Sequence, residues 1–367
     1  MKHEQKQTDK PKKNRKNRFL SIAVLTSTLI LGSIGYESKP KINPEYERQL
    51  NTIFLHYAHT EFETQKTLIS SLPEYSKIIF LVDTRLKERL ELRFEREIKS
   101  KQISIIDYEI ETPLGLFIQD QMELIKQKEK PILLLPKHYY GRPNKNLEKA
   151  LVKNGFEVRR AEVAFTGGNI TYDRFNKKNI LFVGENDIEL NLIYDPDYKR
   201  EEIISVFKKE FNVDTVLIVG PQDKTKMYHL DLLFTIIGPG EVVLNEPIIP
   251  LIYEKAVPNE VSELIKNTRH MFESLGYIIH SFPMQIDDLI KCKYYLCAIP
   301  FIDKNSKDRR ILIPLFPERG VKYPIASDKN REVRNFFIDK NIYPTSVNDY
   351  LFYTNSGGLH CISFVYD

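Results

Sequence analysis

The chain has 367 residues, of which 42% are hydrophobic and 28% are charged, a composition typical of a globular protein rather than a disordered one. Its formal net charge of +4 comes from the amino terminus, because the first 18 residues carry a surplus of six basic side chains and the remainder is near −2. A body so close to neutral gives no sign of nucleic-acid binding, and three cysteines do not make a disulfide framework.

The amino terminus has the pattern of a membrane anchor or a signal sequence. Residues 1–18 form a basic tail, and residues 19–36 contain no charged side chain, a length at the short end of what spans a bilayer. By the positive-inside rule the tail stays in the cytoplasm and the body is exported, either membrane-anchored or secreted if the segment is cleaved. Residues 37–50 contain two prolines and are expected to be a polar linker before a folded domain over residues 51–367.

The body alternates short β-branched runs with helical patterns. Strands are predicted at 77–82, 103–110, 131–136, 156–165, 179–183, 215–219, 232–237, 241–244, 277–281, 294–301 and 310–316, with a last strand around Cys361. Helices are predicted at 86–99, 144–154, 200–211, 258–275 and 328–340. Strands outnumber helices, and the helices recur roughly every 50–65 residues, which favours about five repeated α/β units over one doubly wound sheet.

Four stretches contain residues that could carry chemistry, although each also has a plain structural interpretation. Asp120 could be an exposed residue near a helix start, and Gly167 and Gly168 a simple turn. His229 and Asp231 share one face of a predicted strand, which could be its solvated face. Cys361 could be a small buried apolar residue.

The four stretches together fit one reaction, in which a thiolate attacks a planar cation. Two carboxylates, Asp120 and Asp231, can each accept paired N–H bonds from a guanidinium group. His229 can move protons during the attack by Cys361. This chemistry needs no metal and no organic cofactor.

These stretches also resemble the motifs of a known family. HLDLLF (229–234) followed by GPGEVVL (238–244) resembles the second catalytic motif of agmatine deiminases and bacterial-type peptidylarginine deiminases, and GGLHCI (357–362) resembles their nucleophile motif. IQDQME (118–123) is similar to the first aspartate motif of peptidylarginine deiminases. GGN (167–169) resembles the Gly-Gly turn of the wider guanidine-modifying superfamily.

The resemblance implies a pentein, an α/β (α+β) fold of five ββαβ units in a pseudo-fivefold ring around a central active site. It also implies roles by position: Cys361 is the nucleophile, His229 is the general acid and base, and Asp120 and Asp231 bind the guanidinium group. Gly168 and Asn169 are implied as further substrate-binding residues, and no metal or cofactor is implied.

Several neighbouring residues bear on this expectation. Thr166 stands where many relatives carry an acidic residue that orients the histidine. His360 is expected to point away from Cys361, because adjacent residues of a strand face opposite ways. Cys292 and Cys297 are expected to be core residues that do not pair with each other.

The implied substrate is a small guanidino compound, agmatine or arginine, or peptidyl-arginine. Arg159 and Arg160 could meet a substrate carboxylate or simply face solvent. Two alternatives stay open: transfer of the amidino group to an amine acceptor, and a catalytically silent, membrane-anchored pentein that only binds. The sequence indicates no oligomeric state.

Overall fold

A computed structural model describes residues 40–57, 62–100, 103–110, 117–128, 130–138, 143–220, 229–248, 259–285, 293–316, 328–349 and 359–367. The predicted tail and apolar segment (1–36) lie outside these residues, as do Cys292, Gly357 and Gly358. Within the described ranges, no helix combines the length and the apolar character that crossing a bilayer requires.

The described residues form sixteen strands and eight helices. The strands are β1 (Thr52–His56), β2 (Lys77–Asp83), β3 (Ile103–Tyr108), β4 (Glu123–Gln127), β5 (Lys130–Leu135), β6 (Val158–Arg160), β7 (Ile170–Phe175), β8 (Lys178–Gly184), β9 (Thr215–Val219), β10 (Phe234–Gly238), β11 (Glu241–Ile248), β12 (Ile278–Gln285), β13 (Ile299–Ile302), β14 (Arg309–Leu315), β15 (Tyr343–Asn348) and β16 (Ser363–Tyr366). The helices are α1 (Phe62–Ser71), α2 (Lys87–Arg93), α3 (Glu95–Ser100), α4 (Lys145–Lys153), α5 (Glu185–Tyr194), α6 (Arg200–Glu210), α7 (Asn259–Leu275) and α8 (Asp328–Ile338).

The strands form five sheets that repeat one topology. Four sheets have the orders β4-β5-β6, β7-β8-β9, β10-β11-β12 and β13-β14-β15, and in each the first two strands are antiparallel and the third is parallel to the second. Parallel neighbours need a crossover connection, and at least one helix lies between the second and third strands of each sheet. These are the ββαβ units that the resemblance implied, so the predicted pentein architecture is confirmed.

The fifth sheet joins the two ends of the folded body. Its order is β16-β1-β2-β3, in which β16 runs antiparallel to β1 and β2 runs parallel to β1, with α1 between them. The carboxy-terminal strand therefore supplies the first strand of the unit that the amino-terminal part begins. This pairing brings the chain just after Cys361 back to the start of the body.

Apolar side chains hold neighbouring units together. Helix α7 buries Val261, Leu264, Ile265, Thr268 and Phe272, a spacing that places them on one face. The ring of Phe272 packs against Phe234 of its own sheet at a centroid distance of 5.0 Å and against Phe182 of the preceding sheet at 5.2 Å. The same helix face thus fixes the position of one unit against the next.

Some predicted elements differ from the observed ones. The predicted helix 86–99 is divided into α2 and α3 at Phe94, which is fully buried, and the predicted strand 156–165 is reduced to β6. Asp231 lies in a 3₁₀ turn (Leu230–Leu232) that comes before β10, and Cys361 lies in a turn before β16. The strand assignment of these two residues was wrong, because the backbone turns at both places instead of staying extended.

The predicted linker differs most clearly from what is observed. From Ile42 to Leu50 every second residue is buried, and Tyr46, Arg48 and Leu50 are each less than 10% exposed. Lys41 forms a bridge to Lys126 next to β4, and the Arg48 carbonyl accepts a hydrogen bond from the Ile302 amide of β13 at 2.9 Å. Residues 40–50 are therefore part of the folded body, and their prolines and charges misled the composition-based prediction.

Candidate active site

The predicted site residues lie in turns that come directly before the first strands of four units. These turns are Gln119–Gln121 before β4, Gly167–Asn169 before β7, Leu230–Leu232 before β10, and residues 359–362 before β16. Backbone groups join them: the Gly168 amide donates to Asp120 Oδ1 at 3.2 Å, and the Gln119 amide donates to the Cys361 carbonyl at 3.3 Å. The repeated topology thus brings four distant stretches of sequence to one place.

Gly168 lies at the meeting point of three of the predicted catalytic side chains. A Cβ atom built on Gly168 would stand 2.9 Å from His229 Nδ1, 3.1 Å from Asp120 Oδ1 and 3.3 Å from Asp231 Oδ2. A Cβ on Gly167 would stand 1.9 Å from the Gln119 carbonyl oxygen. Gly167 is required because its turn lies against the backbone at Gln119, whereas a side chain at Gly168 would displace the three predicted catalytic side chains.

Cys361 is buried beside this point. Its Sγ donates to Asp231 Oδ2 at 3.3 Å, and Cys361 Sγ, a His229 ring nitrogen and an Asp231 oxygen all lie within 4.8 Å of one another. His229 Nδ1 lies 3.7 Å from Asp120 Oδ1. The structure therefore brings together all four residues predicted to be catalytic.

Both carboxylates keep one oxygen without a hydrogen-bond partner among the described residues. These atoms are Asp120 Oδ2 and Asp231 Oδ1, and both are buried. Burying an ionised carboxylate with an unpaired oxygen is costly unless a donor or a cation meets it. The two oxygens mark the place where a positively charged group with N–H donors would be stabilised most.

The electrostatics assign resting protonation states to the histidine and the thiol. Burial disfavours the imidazolium of His229, but the Asp120 carboxylate and the Cys361 hydrogen bond outweigh it and raise the pKa to about 10. The Cys297 hydrogen bond, burial and the Asp231 charge raise the pKa of Cys361 well above its usual value. At neutral pH the unliganded site thus pairs a protonated His229 with a Cys361 thiol.

A second thiol that sequence reasoning did not connect to the site lies next to Cys361. Cys297 Sγ is 3.6 Å from Cys361 Sγ and donates to Asp231 Oδ2 at 3.5 Å. Burial raises the pKa of Cys297 to about 11, so it rests as a thiol. Cys297 was expected to be a core residue, and nothing in its local sequence reveals this neighbour, which lies 64 positions away in the chain.

The expectation that His360 points away from Cys361 was wrong. The turn lets both His360 and Cys361 reach the same carboxylate oxygen, with His360 Nδ1 3.0 Å from Asp231 Oδ2. The other ring nitrogen, Nε2, lies 2.9 Å from Glu45 Oε1. Glu45 belongs to the segment that was predicted to be a linker, so its approach to the site was not foreseen.

A buried carboxylate also stands behind Thr166. Asp187, at the start of α5, accepts hydrogen bonds from the Thr166 amide and from Thr166 Oγ1, both at 3.0 Å. Burial raises the pKa of Asp187 to about 7, while the nearby His229 charge opposes that rise. Asn169 is buried and its side-chain amide packs against Gly184, so this side chain lies behind the turn. An acidic group thus exists near the position where Thr166 departs from the family pattern.

The two arginines considered for substrate binding have other partners. Arg159 pairs with Glu210 at 2.9 Å, and Arg160 pairs with Glu148 on α4. Both lie on β6, the third strand of its sheet, rather than in one of the four converging turns.

The described part of the chain contains one cluster of three side chains that could act as metal ligands. It consists of His229, Asp231 and Cys361, whose ligand atoms lie within 4.8 Å of one another. The Asp231 oxygen in this group already accepts hydrogen bonds from two thiols and lies against the His360 ring. The arrangement therefore suits proton transfer and cation binding.

Solved agmatine deiminases share this architecture. The C. jejuni agmatine deiminase matches with a TM-score of 0.65 and 14% identity, covering 91% of this chain and 98% of that chain. The Enterococcus faecalis agmatine deiminase matches with a TM-score of 0.61 and 12% identity, covering 92% of this chain and 98% of that one. No protein-family model and no curated protein matches the sequence. The structural likeness, together with the five ββαβ units, establishes that the chain has the pentein fold.

Proposed function

We propose that the chain is a cysteine-dependent deiminase, which hydrolyses a guanidinium group to a ureido group and releases ammonia. The observation that carries this proposal is the pair of buried carboxylates, Asp120 and Asp231, each with one oxygen that has no partner among the described residues, and the contact of Asp231 with the Cys361 thiol. A guanidinium group has N–H donors on every edge of a planar cation and can satisfy both oxygens at once. A neutral head group could donate hydrogen bonds to these oxygens but would bring no positive charge, so its bonds to the carboxylates would be weaker.

The bound cation would also prepare the nucleophile. In the unliganded site Cys361 is a thiol, because neighbouring groups raise its pKa. A positive charge within a few ångströms of the sulfur lowers that pKa and favours the thiolate. Binding of the substrate therefore creates the reactive form of the cysteine.

His229 then supplies and removes protons. The thiolate forms a bond to the guanidinium carbon, His229 gives its proton to the departing nitrogen, and ammonia leaves behind a thiouronium bound to Cys361. Neutral His229 takes a proton from water, whose oxygen attacks the same carbon. The C–S bond breaks, the ureido product leaves, and the thiolate is restored.

The pH profile of kcat/KM, which reports ionisations of the free enzyme, follows from these protonation states. Activity needs a thiolate and an imidazolium, and the pKa of Cys361 is raised while that of His229 is about 10. We expect kcat/KM to rise about tenfold per pH unit across the neutral range and to stop rising near pH 10, where His229 loses its proton. A profile that is flat across the neutral range would contradict these assignments.

We propose agmatine, free arginine or peptidyl-arginine as substrates, with residues 19–36 anchoring an exported body. Amino-terminal anchoring is compatible with any of the three. The site residues described above recognise the guanidinium head and leave the remainder of the substrate unspecified.

The test is to offer the full-length chain these three compounds in parallel and to measure ammonia and ureido product, with and without an acceptor amine. Release of equal amounts of both products from one compound is the expected result. Products that appear only with the amine would indicate amidino transfer instead. No reaction with any of the three would leave a binding protein as the better interpretation.

A further inference from the structure

The amino-terminal segment, residues 40–50, contacts the candidate active site. Tyr46 donates to Asp173 Oδ1 of β7 at 2.6 Å, and Arg48 donates to Glu123 Oε1 of β4 at 2.9 Å. Together with the bridge to Lys126 and the hydrogen bond to Ile302, these contacts join the segment to strands of three units, β4, β7 and β13. Its 3₁₀ turn (Glu45–Glu47) is thereby fixed against the turn that carries Cys361.

Glu45, His360 and Asp231 form a continuous row of hydrogen bonds. His360 stands between the two carboxylates, with Nδ1 3.0 Å from Asp231 Oδ2 and Nε2 2.9 Å from Glu45 Oε1. Ionised carboxylates only accept hydrogen bonds, so each ring nitrogen must donate. An imidazole with protons on both nitrogens is an imidazolium, which makes His360 a buried cation.

The protonation states support this arrangement. Burial opposes the charge on His360, but Glu45 and Asp231 outweigh it and raise the pKa of His360 well above its usual value. Burial likewise opposes ionisation of Glu45 and Asp231, and His360 outweighs it at both, so each pKa is lowered. All three groups are charged at neutral pH, and the row has a net charge of minus one.

We infer that Glu45 is a positioning residue for the guanidinium site, which acts through His360 to keep Asp231 oriented and its negative charge available to the substrate. The inference rests on the proposed function. His360 alone would cancel the charge of Asp231, and Glu45 restores the net negative charge that attracts a cation. The hydrogen bond to Oδ2 also leaves Asp231 Oδ1 facing the substrate side without a protein partner among the described residues.

The other charged groups around this row are already paired. Arg48 and Glu123 form a buried ion pair, and Asp120 stands next to protonated His229. Cys297 and Cys361 rest as thiols. Glu45 is therefore the group whose charge decides whether the site attracts a cation.

The experiment compares Glu45→Gln with Glu47→Gln in the full-length chain. Glu45→Gln keeps an acceptor for His360 and loses only the charge, whereas Glu47, on the same turn, pairs with Arg174 at 3.2 Å. Affinity is measured for agmatine and for N-carbamoylputrescine, in which a neutral ureido group replaces the guanidinium group. Since the two ligands share the distal amine, any difference between them reports on the head group.

We expect Glu45→Gln to weaken agmatine binding on the order of tenfold, with N-carbamoylputrescine binding unchanged. Glu45→Asp should recover part of the affinity, and Glu47→Gln should match the parent. Equal losses for both ligands, or no loss for agmatine when the parent chain turns it over, would overturn the inference.

A second readout does not depend on turnover. In ¹⁵N-histidine NMR of the parent chain at neutral pH, both ring nitrogens of His360 should carry protons, with the signals assigned by their loss in His360→Gln. A His360 ring nitrogen without a proton would overturn the inference even in an active enzyme. A doubly protonated His360 in a chain that turns over no guanidine would contradict the proposed function alone.

Discussion

Replacing Cys361 by alanine should abolish deimination, lowering kcat by on the order of 10³-fold or more. Removal of the sulfur leaves the two carboxylates and His229 in place but takes away the atom that bonds to the guanidinium carbon. Product release at saturating substrate measures the loss, and substrate binding should persist because Asp120 and Asp231 are unchanged.

Cys361→Ser provides the matched control for packing. Serine keeps a hydroxyl donor near Asp231 Oδ2, but its hydroxyl does not ionise at accessible pH. Both variants should unfold with a free energy within about 1–2 kcal/mol of the parent chain, since only one buried atom is lost or exchanged. Turnover by either variant at near-parent rates would show that Cys361 is not the nucleophile.

Oxidation by a peroxide at alkaline pH, where more of Cys361 is thiolate, should inactivate the enzyme reversibly. The Cys361 sulfur is oxidised to a sulfenic acid with release of water, and Cys297, 3.6 Å away, displaces a second water to form a disulfide. The disulfide removes the nucleophile. We expect a Cys297–Cys361 linked peptide in the mass spectrum and full recovery of activity with a dithiol.

The variant Cys297→Ala separates this reaction from general damage. It should form no linked peptide, and its Cys361 should reach the irreversible sulfinic acid sooner because no second thiol intercepts the sulfenic acid. Cys292→Ala should behave as the parent chain does. If the parent and Cys297→Ala lose and recover activity alike, the two sulfurs are not close in solution.

The secondary structure and the repeated units were largely predictable, because they depend on local patterns. The β-branched, apolar run at 215–219 and the helical pattern at 144–154 correspond closely to β9 and α4. Gly155 ends that helix in a left-handed conformation, with φ +86°, as expected of a residue without a side chain. The resemblance then supplied the order of the units, which periodicity alone had only suggested.

The local geometry of the site was less predictable, because it depends on turns. The spacing of His229 and Asp231 matched a strand, yet His229 precedes, and Asp231 lies in, a 3₁₀ turn whose residues are buried. The same error placed His360 away from Cys361, whereas both contact one oxygen of Asp231. The rule that every second side chain points to the same face holds only where the backbone is extended.

Residues contributed from distant parts of the chain were not predictable at all. Glu45 lies 315 positions from His360, in a segment whose prolines and charges are typical of a linker. Asp187 lies behind Thr166 because α5 begins next to that turn. Neither contact has a signal in the sequence, because each arises only when separate units pack together.

The most direct test of cysteine-dependent deimination is the intact mass of the protein, measured after rapid acid quenching during its first turnover of a guanidino substrate. The account predicts a transient gain equal to the substrate less ammonia, located on Cys361 and absent from Cys361→Ala. Ammonia release with Cys361 unmodified at every quench time would contradict it.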